Sequence, residues 1–555
     1  MLRWPVVKRF VSTESLRKHV KEEAKRKKAS AKPSNPRLDK WELTVGIEIH
    51  AELNTACKLF SSAPAHGRDG IPNSRVALFD AAIPGSQPRF QVATLLPALR
   101  AAIALGSTIQ TKITWDRKHY FHWDQPNGYQ ITQYYHPFAR DGQLFVNASD
   151  GVPNEDLQGA DHLRVGIKQI QMEQDTAKTI TGPDGTHQID LNRAGVPLIE
   201  IITLPQIHSP RTASAVVRKI QGILKSVGAC VTGMELGGLR ADVNVSVRQL
   251  GVDKPTQSFA GVSGLGQRTE IKNLASFKAV EDAIISERDR QIRVLEAGGV
   301  IEGETRGWTL GATETTRLRG KEGEVDYRYM PDPDLPALTI GSDLIEHLRS
   351  TLPHLPDEAA AYLQNKYGLS EKDARTLVDL DDGERIEFLE MTVEQIQLNS
   401  REAMSSQKVG KLVGNWILHE IGGLLTASAL SWAKQPVTAR ELADVLSNSS
   451  NKQITARAAK QLLATLFDIP NGSPRPSVEQ LIDAGNLRLR PLSDDEYVQL
   501  ARTIMDQNPQ MVAAVRDKGQ KGKIMWFVGQ MVRTGEEGTV EPEKAKMVVE
   551  KLLIN

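Results

Sequence analysis

Apolar and polar residues alternate strictly between Val45 and Leu53, which predicts a β-strand with one buried face and one open face. The open face carries Glu48, His50 and Glu52. Alternate side chains on a strand stand roughly 6.6 Å apart, close enough for carboxylates and an imidazole to share a hard cation and the phosphates that it carries. For this segment alone, a half-exposed edge strand with a solvated polar face is the alternative interpretation.

Three further segments combine apolar residues on one face with charged or amide residues on the other. They are Asp242–Arg248, Thr269–Leu274 and Val325–Tyr329. Their polar positions are, in chain order, Asp242, Asn244, Ser246, Arg248, Glu270, Lys272, Asp326 and Arg328. Four strands that share this mixture of side chains predict a polar, concave sheet of antiparallel character.

Glu200 lies in the apolar run Val196–Ile202, which is expected to be buried on both faces. A buried carboxylate without a partner costs several kcal/mol or takes up a proton, so we expect a metal ion, an Arg or a Lys beside it. A structural ion pair with Arg193 is the alternative. Just upstream, Met172–Lys178 offers two more acids, which either join the same site or belong to a charged turn.

Beyond residue 340 the period of the apolar pattern changes from two to about 3.6, which predicts helices. The predicted helices include Ser342–Arg349, Pro356–Leu363, Thr438–Leu446 and Ala456–Phe467. Glycines at positions 410, 414, 422 and 423 are expected to interrupt the helical run.

A chain of 555 residues is expected to contain about three domains. The change of period and the linker-like Lys434-Gln435-Pro436 predict a sheet-containing domain over residues 41–340, a helical domain over 341–432 and a helical tail over 433–555. Its composition, 40% hydrophobic and 25% charged residues, is that of a globular protein.

The first 40 residues differ in charge from the rest. They contain 13 Lys/Arg against 4 Asp/Glu, a balance of +9 in a chain of net charge +1, so the remainder carries −8. The segment lacks the apolar core of a secretory signal and predicts a mitochondrial presequence, cleaved before Trp41. A disordered basic arm that touches RNA is the alternative, because transit peptides contain few acids and this segment has Glu14, Glu22 and Glu23. No apolar run reaches the roughly 18 residues that a transmembrane helix needs.

Several chemistries are disfavoured by motifs that the sequence lacks. It has no G-x-x-x-x-G-K-[ST] phosphate loop and no kinase-type glycine loop, and Gly261–Gly266 is expected to be only a flexible connector. Cys57 and Cys230 form neither a disulfide framework nor a C-x-x-C pair. A bound nucleotide would therefore be held by sheet side chains and metal.

From about Glu42 onward, the chain resembles the B subunits of the aspartyl/glutamyl-tRNA amidotransferases. Eight segments in the family's order carry the resemblance: VGIEIHAELNTACKLFS from Val45, DRKHYFHWDQPNGYQITQ from Asp116, DLNRAGVPLIEIIT from Asp190, MELGGLRADVNVSVR from Met234, RTEIKNLASFKAVEDAI from Arg268, ETRGW from Glu304, DYRYMPDPDLP from Asp326 and GKIMWFVGQMV from Gly522. The resemblance implies an α+β fold, in which an antiparallel-sheet cradle similar to the glutamine synthetase-like catalytic fold precedes a helical domain and an all-α tail.

The resemblance also implies a two-step reaction shared between subunits. This subunit would use ATP and Mg²⁺ to phosphorylate the side-chain carboxylate of glutamate misacylated onto tRNA(Gln). Ammonia from the glutaminase A subunit would then displace the phosphate. The implied partners are that subunit, a small third subunit and the charged tRNA, in the mitochondrial matrix and without membrane insertion.

Residue by residue, Glu48 and His50 match the family's metal-binding Glu-x-His, and Glu200 matches its metal-binding Glu in the apolar run. The family often has two adjacent glutamates where this chain has Glu173 and Gln174. Either Gln174 coordinates through its carbonyl oxygen or the neighbouring acids compensate for it. The predicted metal ligands are Glu48, His50, Glu173 and Glu200.

Other roles are assigned by position in the matching segments. Catalytic roles are predicted for Glu48, His50, Glu200, Glu270 and Lys272. Contacts to ATP or to the acceptor end of the tRNA are predicted for Arg240, Asp242, Asn244, Ser246, Arg268, Asp326 and Arg328.

In the tail, Lys518, Lys521 and Lys523 lie in a glycine-broken loop before the apolar segment Ile524–Val532. Such a loop can follow a phosphate backbone without reading bases, which predicts contacts to tRNA. A solvated loop that caps a buried helix is the alternative.

Two other functions compete with the catalytic one. The first is a tRNA-binding scaffold that has lost the phosphorylation activity. Gln174, where the family often has a glutamate, supports this alternative. A stand-alone ligase that aminates a small acid would leave a tRNA-binding tail without a purpose.

Overall fold

The computed structural model describes residues 38–67, 70–182, 184–230, 232–251, 256–309, 311–320, 327–399, 405–470, 472–489, 492–516, 520–535 and 540–554. The predicted presequence up to residue 37, Asp326 and Lys518 lie outside these stretches, and only the backbone of Lys521 is described. The chain divides into two compact units, Met1–Leu352 and Pro353–Asn555. The domain boundaries predicted at residues 340 and 432 stay predictions.

The first unit is built on a large sheet. In chain order its strands, and those of four smaller sheets, are β1 (Trp41–Glu52), β2 (Thr108–Ile109), β3 (Lys112–Ile113), β4 (Asp116–His119), β5 (Tyr129–Thr132), β6 (Ala139–Val146), β7 (Leu163–Gln174), β8 (Lys178–Thr181), β9 (His187–Asp190), β10 (Pro197–Thr203), β11 (Leu239–Gln249), β12 (Gln257–Phe259), β13 (Val262–Leu265), β14 (Thr269–Leu274), β15 (Glu304–Gly307), β16 (Thr316–Gly320), β17 (Met330–Pro331) and β18 (Leu338–Thr339). The large sheet has the order β16-β15-β14-β11-β1-β10-β7-β6-β2, with β1 at its centre.

Helices accompany the sheet in the first unit. They are α1 (Leu95–Ala104), α2 (Asn154–Leu157), α3 (Pro210–Ser226), α4 (Phe277–Glu296) and α5 (Ser342–Ser350). The long helices α3 and α4 contact each other and the central strands. Neighbouring strands of the large sheet are antiparallel except β14 and β15, and α4 supplies the crossover that this parallel pair needs.

Alternation along β1 separates a buried face from a polar face, as predicted. Ile47, Ile49 and Ala51 are 1% exposed or less, whereas Glu48 and His50 are half-buried. The neighbouring strands continue the polar face because cross-strand partners face the same side. The pairs are Glu48 with Asp242, His50 with Arg240, His50 with Glu200, and Asn244 with Glu270.

Two local predictions in the first unit are wrong. The described part of Val325–Tyr329 is not a strand, because Arg328 has a φ of 43°, in the left-handed region, and β17 begins only at Met330. The expected connector Gly261–Gly266 belongs to the β12–β13 hairpin, where Ala260 and Gly261 both have positive φ.

The second unit is helical. Its helices are α6 (Pro356–Tyr367), α7 (Glu371–Asp379), α8 (Glu384–Asn399), α9 (Ser406–Asn415), α10 (Gly422–Ser428), α11 (Ala439–Ser450), α12 (Ala456–Asp468), α13 (Val478–Ala484), α14 (Asp494–Gln507), α15 (Pro509–Arg516), α16 (Ile524–Thr534) and α17 (Pro542–Ile554). One cluster of buried apolar residues runs from Ala360 to Leu487 and a second from Tyr497 to Leu553. The four helices predicted from the 3.6-residue period are confirmed as α5, α6, α11 and α12.

No helix in the described stretches is long and apolar enough to cross a membrane.

The four glycines predicted to interrupt the helical run do not interrupt it, and two of them, Gly410 and Gly414, allow close packing. Gly410 and Gly414 lie inside α9, and a π-helical turn, Trp416–Ile421, joins α9 to α10 without a break, so the expected interruption is wrong. A Cβ on Gly410 would stand 2.5 Å from the Cβ and 2.8 Å from the carbonyl oxygen of Tyr367. Glycine therefore allows α9 to lie against the end of α6.

We expect Gly410→Ala to destabilise the helical unit by about 1–3 kcal/mol, because the new methyl group forces backbone apart. The matched control is Gly423→Ala in α10, where a Cβ would meet nothing within 4 Å. This control should be neutral or stabilise by up to about 1 kcal/mol, since alanine favours an exposed helix. Thermal unfolding of the full chain, followed by circular dichroism, measures both. Equal effects of the two variants would contradict the packing role of Gly410.

Candidate active site

Two neighbouring strands bring three metal-ligating side chains together. Glu48 and His50 come from β1, and Glu200 comes from β10, where it pairs with His50. One ligand atom from each residue lies within 4.8 Å of the other two, and His50 Nε2 is 4.0 Å from Glu200 Oε1. Among the described residues, this is the group of acids and histidine that fits around one ion.

The carboxylates of Glu48 and Glu200 lie within 4.8 Å of each other, and their surroundings separate their acidities. Burial and the charge of Glu48 raise the pKa of Glu200 well above its ordinary value. Burial alone would also raise the pKa of Glu48, but the hydrogen bond from Glu200 and the charges of His50 and Lys272 lower it to about 2. A divalent cation between the two carboxylates would neutralise their mutual repulsion. Two hard carboxylates and an imidazole fit such a cation.

Glu173 on β7 lies beside this group, but it is not one of the three residues whose ligand atoms come within 4.8 Å of one another. Gln171, two residues earlier on the same face, donates from Nε2 to Glu200 Oε2 at 2.7 Å. Gln130 Nε2 donates to Glu173 Oε1 at 2.6 Å, and Lys118 Nζ lies 3.8 Å from the same oxygen. The second carboxylate oxygen of Glu173 is buried and has no hydrogen-bond partner. An oxygen in this condition is available to a cation.

Arg193 is not the partner of Glu200. Its Nε lies 3.5 Å from Asp175 Oδ2 and donates to the carbonyl oxygen of Thr176. Arg240, on the polar face beside His50, also pairs with Asp175 at 3.0 Å. The alternative of a structural Glu200–Arg193 pair is therefore wrong, because Asp175 takes both guanidinium groups.

Gln174 lies on the other face of β7. It pairs with Pro197, whereas Glu173 pairs with Leu198, and consecutive strand residues face opposite sides. The side-chain oxygen of Gln174 accepts a hydrogen bond from the backbone amide of Ile131 at 3.0 Å. Its amide is thus a structural contact between β5 and β7, turned away from Glu48.

Lys272 joins the cluster from the other side of β1. Its Nζ lies 3.2 Å from Asp242 Oδ2 and 3.1 Å from Glu270 Oε1. Burial opposes its charge, but Asp242 and Glu270 outweigh that effect and raise the pKa of Lys272. Asp242 Oδ1 also accepts from the backbone amide of Asn273 at 2.8 Å. Two ammonium groups, Lys118 and Lys272, therefore flank the acids from opposite directions.

The other predicted contact residues differ in position. Asn244 shares the polar face, and its Oδ1 is buried without a partner, while Ser246 is 6% exposed. Arg268 is exposed just before β14, and Arg328 is exposed in the segment before β17. In the second unit, Lys523 is half-buried directly before α16.

The sequence patterns did not predict that Lys118, Gln171 and Tyr329 lie near the site. Burial acts against the charge of Lys118, yet Glu173 and Glu200 raise its pKa. A usable signal existed for this residue, because Asp116 and Lys118 lie on one face of β4 by the period of two. Gln171 was hidden because only the β7–β10 register places it opposite Glu200.

Comparison with known protein families first identifies the class of protein. Residues 43–346 match the family described as the GatB/GatE catalytic domain, and residues 401–553 match the one described as the GatB domain. The sheet and its acidic cluster therefore lie in a region that belongs to the GatB/GatE catalytic domain family.

Relatives that match nearly the whole chain identify the particular family within this class of protein. The B subunit of the mitochondrial glutamyl-tRNA(Gln) amidotransferase of Ajellomyces dermatitidis is 57% identical over 544 residues, 97% of this chain and 89% of that protein. The proteins of the same name from Aspergillus fumigatus and Ajellomyces capsulatus are 56% and 55% identical, over 97% and 99% of this chain and 90% and 94% of theirs. The chain belongs to the family of B subunits of glutamyl-tRNA(Gln) amidotransferase. The family resemblance and the mitochondrial location predicted from the sequence are confirmed.

The two neighbours on β7 give a matched test of the site. We expect Glu173→Gln to weaken divalent-cation binding roughly tenfold or more, since it removes a carboxylate beside Glu200. Gln174→Glu should leave cation binding unchanged because residue 174 faces away. Titration of Mn²⁺ by electron paramagnetic resonance measures both. Tighter binding by Gln174→Glu would place residue 174 in the site and contradict the register argument.

Proposed function

We propose that this protein uses ATP and Mg²⁺ to activate the side-chain carboxylate of glutamate esterified to tRNA(Gln), and that ammonia then converts it to the amide. The observation that carries the proposal is the Glu48–His50–Glu200 cluster, flanked by Lys272 from the large sheet and by Lys118 from the small sheet that contains β4. The relatives are named as B subunits of a glutamyl-tRNA(Gln) amidotransferase, and that name supports the substrate.

The chemistry explains why such a site is needed. A carboxylate does not react with ammonia at a useful rate, because its leaving group would be oxide. A carboxylate oxygen attacks the γ-phosphorus of ATP, ADP leaves, and an acyl phosphate forms. Ammonia then attacks the acyl carbon, inorganic phosphate leaves, and the nitrogen loses a proton. The protein contributes positioning and charge neutralisation to the phosphoryl transfer.

Specific residues can supply these contributions. Glu48, His50 and Glu200, with Glu173, would hold the magnesium ion, which neutralises charge on the transferred phosphoryl group. Lys118 and Lys272 hold positive charge on either side of that position and can orient anionic groups of the substrates. Glu270 keeps Lys272 in place, because its other oxygen accepts a hydrogen bond from Thr305 Oγ1 at 3.1 Å.

The remaining face residues are proposed to bind the substrates. Arg240, Asp242, Asn244, Ser246, Arg268, Arg328 and Asp326 are the candidates for ATP and for the acceptor end of the tRNA. Because the sheet offers no phosphate loop, side chains from several strands must share this task. The likeness to the glutamine synthetase-like fold stays a prediction.

Partner subunits follow from the same proposal. Ammonia would come from the glutaminase A subunit, and a small third subunit would complete the assembly in the mitochondrial matrix. The helical tail would hold the tRNA through Lys518, Lys521 and Lys523.

The alternative function, a tRNA-binding scaffold without catalysis, loses the observation that supported it. It rested on the missing carboxylate at position 174, but Gln174 faces away from the acidic cluster. The cluster keeps its acids, its imidazole and both lysines, so the catalytic proposal is preferred.

We expect Glu48→Gln and His50→Ala, tested in the assembled heterotrimer, to lower Gln-tRNA formation by about 100-fold or more, because each removes a ligand of the neutralising cation. Glutaminase activity and tRNA affinity should stay close to those of the unmodified complex. The matched control is Glu42→Gln on the same strand and face, whose ion pair with Arg248 is partly exposed. Full turnover of both variants at limiting Mg²⁺ would exclude the metal assignment.

A separate prediction tests the tail. Replacing Lys518, Lys521 and Lys523 together by alanine should lower the log-log salt dependence of tRNA binding by roughly 2, at about 0.7 to 0.9 per phosphate contact. Alanine at Lys544, Lys546 and Lys551 in α17 removes the same charge from the same unit and should leave the slope unchanged. Filter binding at several salt concentrations gives both slopes. An unaltered slope for the first set would show that these lysines do not contact phosphates.

A further inference from the structure

An exposed stack of tyrosines lies in the first unit. The rings of Tyr134 and Tyr329 have centroids 3.9 Å apart and planes 10° apart, and Tyr135 meets Tyr134 edge-on at 5.1 Å. Tyr134 is nevertheless 49% exposed and Tyr135 47% exposed. Buried aromatic rings need no explanation beyond the core, but a stacked ring that keeps as much open surface as Tyr134 can accept another flat ring.

The chain segment that carries Tyr134 also contacts the acidic cluster. Gln171 Nε2, which donates to Glu200, also lies 3.4 Å from Thr132 Oγ1, two residues before Tyr134. Tyr329 is near the same acids, because Lys118 Nζ, 3.8 Å from Glu173 Oε1, lies 5.1 Å from the centre of the Tyr327 ring, and the rings of Tyr327 and Tyr329 have centroids 5.9 Å apart. The stack therefore stands beside the position where chemistry is proposed.

Hydrogen bonds of Tyr135 also hold in place the residues around the stacked rings of Tyr134 and Tyr329. The backbone amide of Tyr135 donates to Asp116 Oδ2 at 2.9 Å, and Asp116 is 1% exposed. The hydroxyl of Tyr135 donates to the carbonyl oxygen of Tyr329 at 3.3 Å. Rings fixed in this way lose little freedom when a ligand binds, which favours affinity.

We propose that Tyr134 and Tyr329 form a stacking platform for the unpaired base at the 3′ end of the tRNA. The inference rests on the proposed function, because the reacting glutamate is esterified to the ribose of that nucleotide. A carboxylate held at Glu48, His50 and Glu200 brings its nucleotide to within one side-chain length of the cluster. Proteins bind unpaired bases by stacking them on aromatic side chains, and neutral rings beside an acidic cluster suit a base better than a phosphate.

The test uses the assembled heterotrimer with two substrates, Glu-tRNA and Glu-tRNA whose terminal nucleotide lacks its base. Tyr134→Ala should raise KM for Glu-tRNA about 5- to 150-fold, the usual effect of losing one stacked base, with kcat at saturation little changed. Tyr134→Phe keeps the ring and should restore most of the affinity. Phe145→Ala, which removes another exposed aromatic ring of this unit, is the control and should leave KM unchanged.

The base-free substrate makes the test specific. It should raise KM of the unmodified enzyme by a similar factor, but it should not weaken Tyr134→Ala further, because the two changes remove the same contact. Three results would contradict the stacking platform: additive increases in KM for Glu-tRNA, an unchanged KM for Glu-tRNA, or an increase confined to the KM for ATP. Dissociation of the heterotrimer by Tyr134→Ala would assign the rings to a protein interface and overturn it as well.

Binding of uncharged tRNA separates this inference from the proposed function. Equilibrium binding needs no chemistry, so Glu48→Gln should lose turnover and still bind intact tRNA more tightly than base-free tRNA. If Glu48→Gln keeps full turnover while this preference persists, the activation proposal fails and the platform stands. If the preference is absent in an otherwise active enzyme, the platform fails alone.

Discussion

Close approach of two carboxylates, half-buried Glu48 and buried Glu200, is the constraint on which the site depends. Two unscreened negative charges cannot persist so close together in this place. The sheet imposes this contact because β1 and β10 pair with His50 opposite Glu200. Lys118, Lys272 and the amide of Gln171 converge on the same point and offset part of the repulsion. The remaining demand for positive charge is what makes the cluster suitable for a cation.

The central part of this arrangement could be predicted from sequence because it follows the period of two. Alternation from Val45 to Leu53 placed Glu48 and His50 on one face, and the apolar run around Glu200 showed that a carboxylate must be buried. Strands β1, β11 and β14 of the large sheet and helices α5, α6, α11 and α12 followed from the same kind of pattern. Such patterns depend on neighbouring residues, so they hold wherever local alternation decides the structure.

Features that depend on distant residues could not be predicted in this way. Lys118 reaches Glu173 only because the small sheet that contains β4 lies beside β7. The orientation of Gln174 depends on strand register, since a shift of one residue would exchange it with Glu173. In the helical unit, Gly410 was misread because a glycine that packs against Tyr367 and a glycine that ends a helix have the same letter.

The order of the strands along the chain has a consequence for how the protein acquires its structure. Strand β1, at the centre of the finished sheet, is synthesised before the other strands of that sheet. One edge of β1 is not fully paired until Ile202, the partner of Glu48, has been synthesised, and the other edge is not fully paired until Gln249, the partner of Trp41, has been synthesised. Until then an extended apolar strand exposes unpaired amides and carbonyls on both sides, the condition that favours aggregation. Pairings so distant in sequence also close slowly. In a chain that emerges from a ribosome or enters an organelle with its N-terminus first, an edge of β1 therefore stays incompletely paired until residue 249, over most of the length of the first unit.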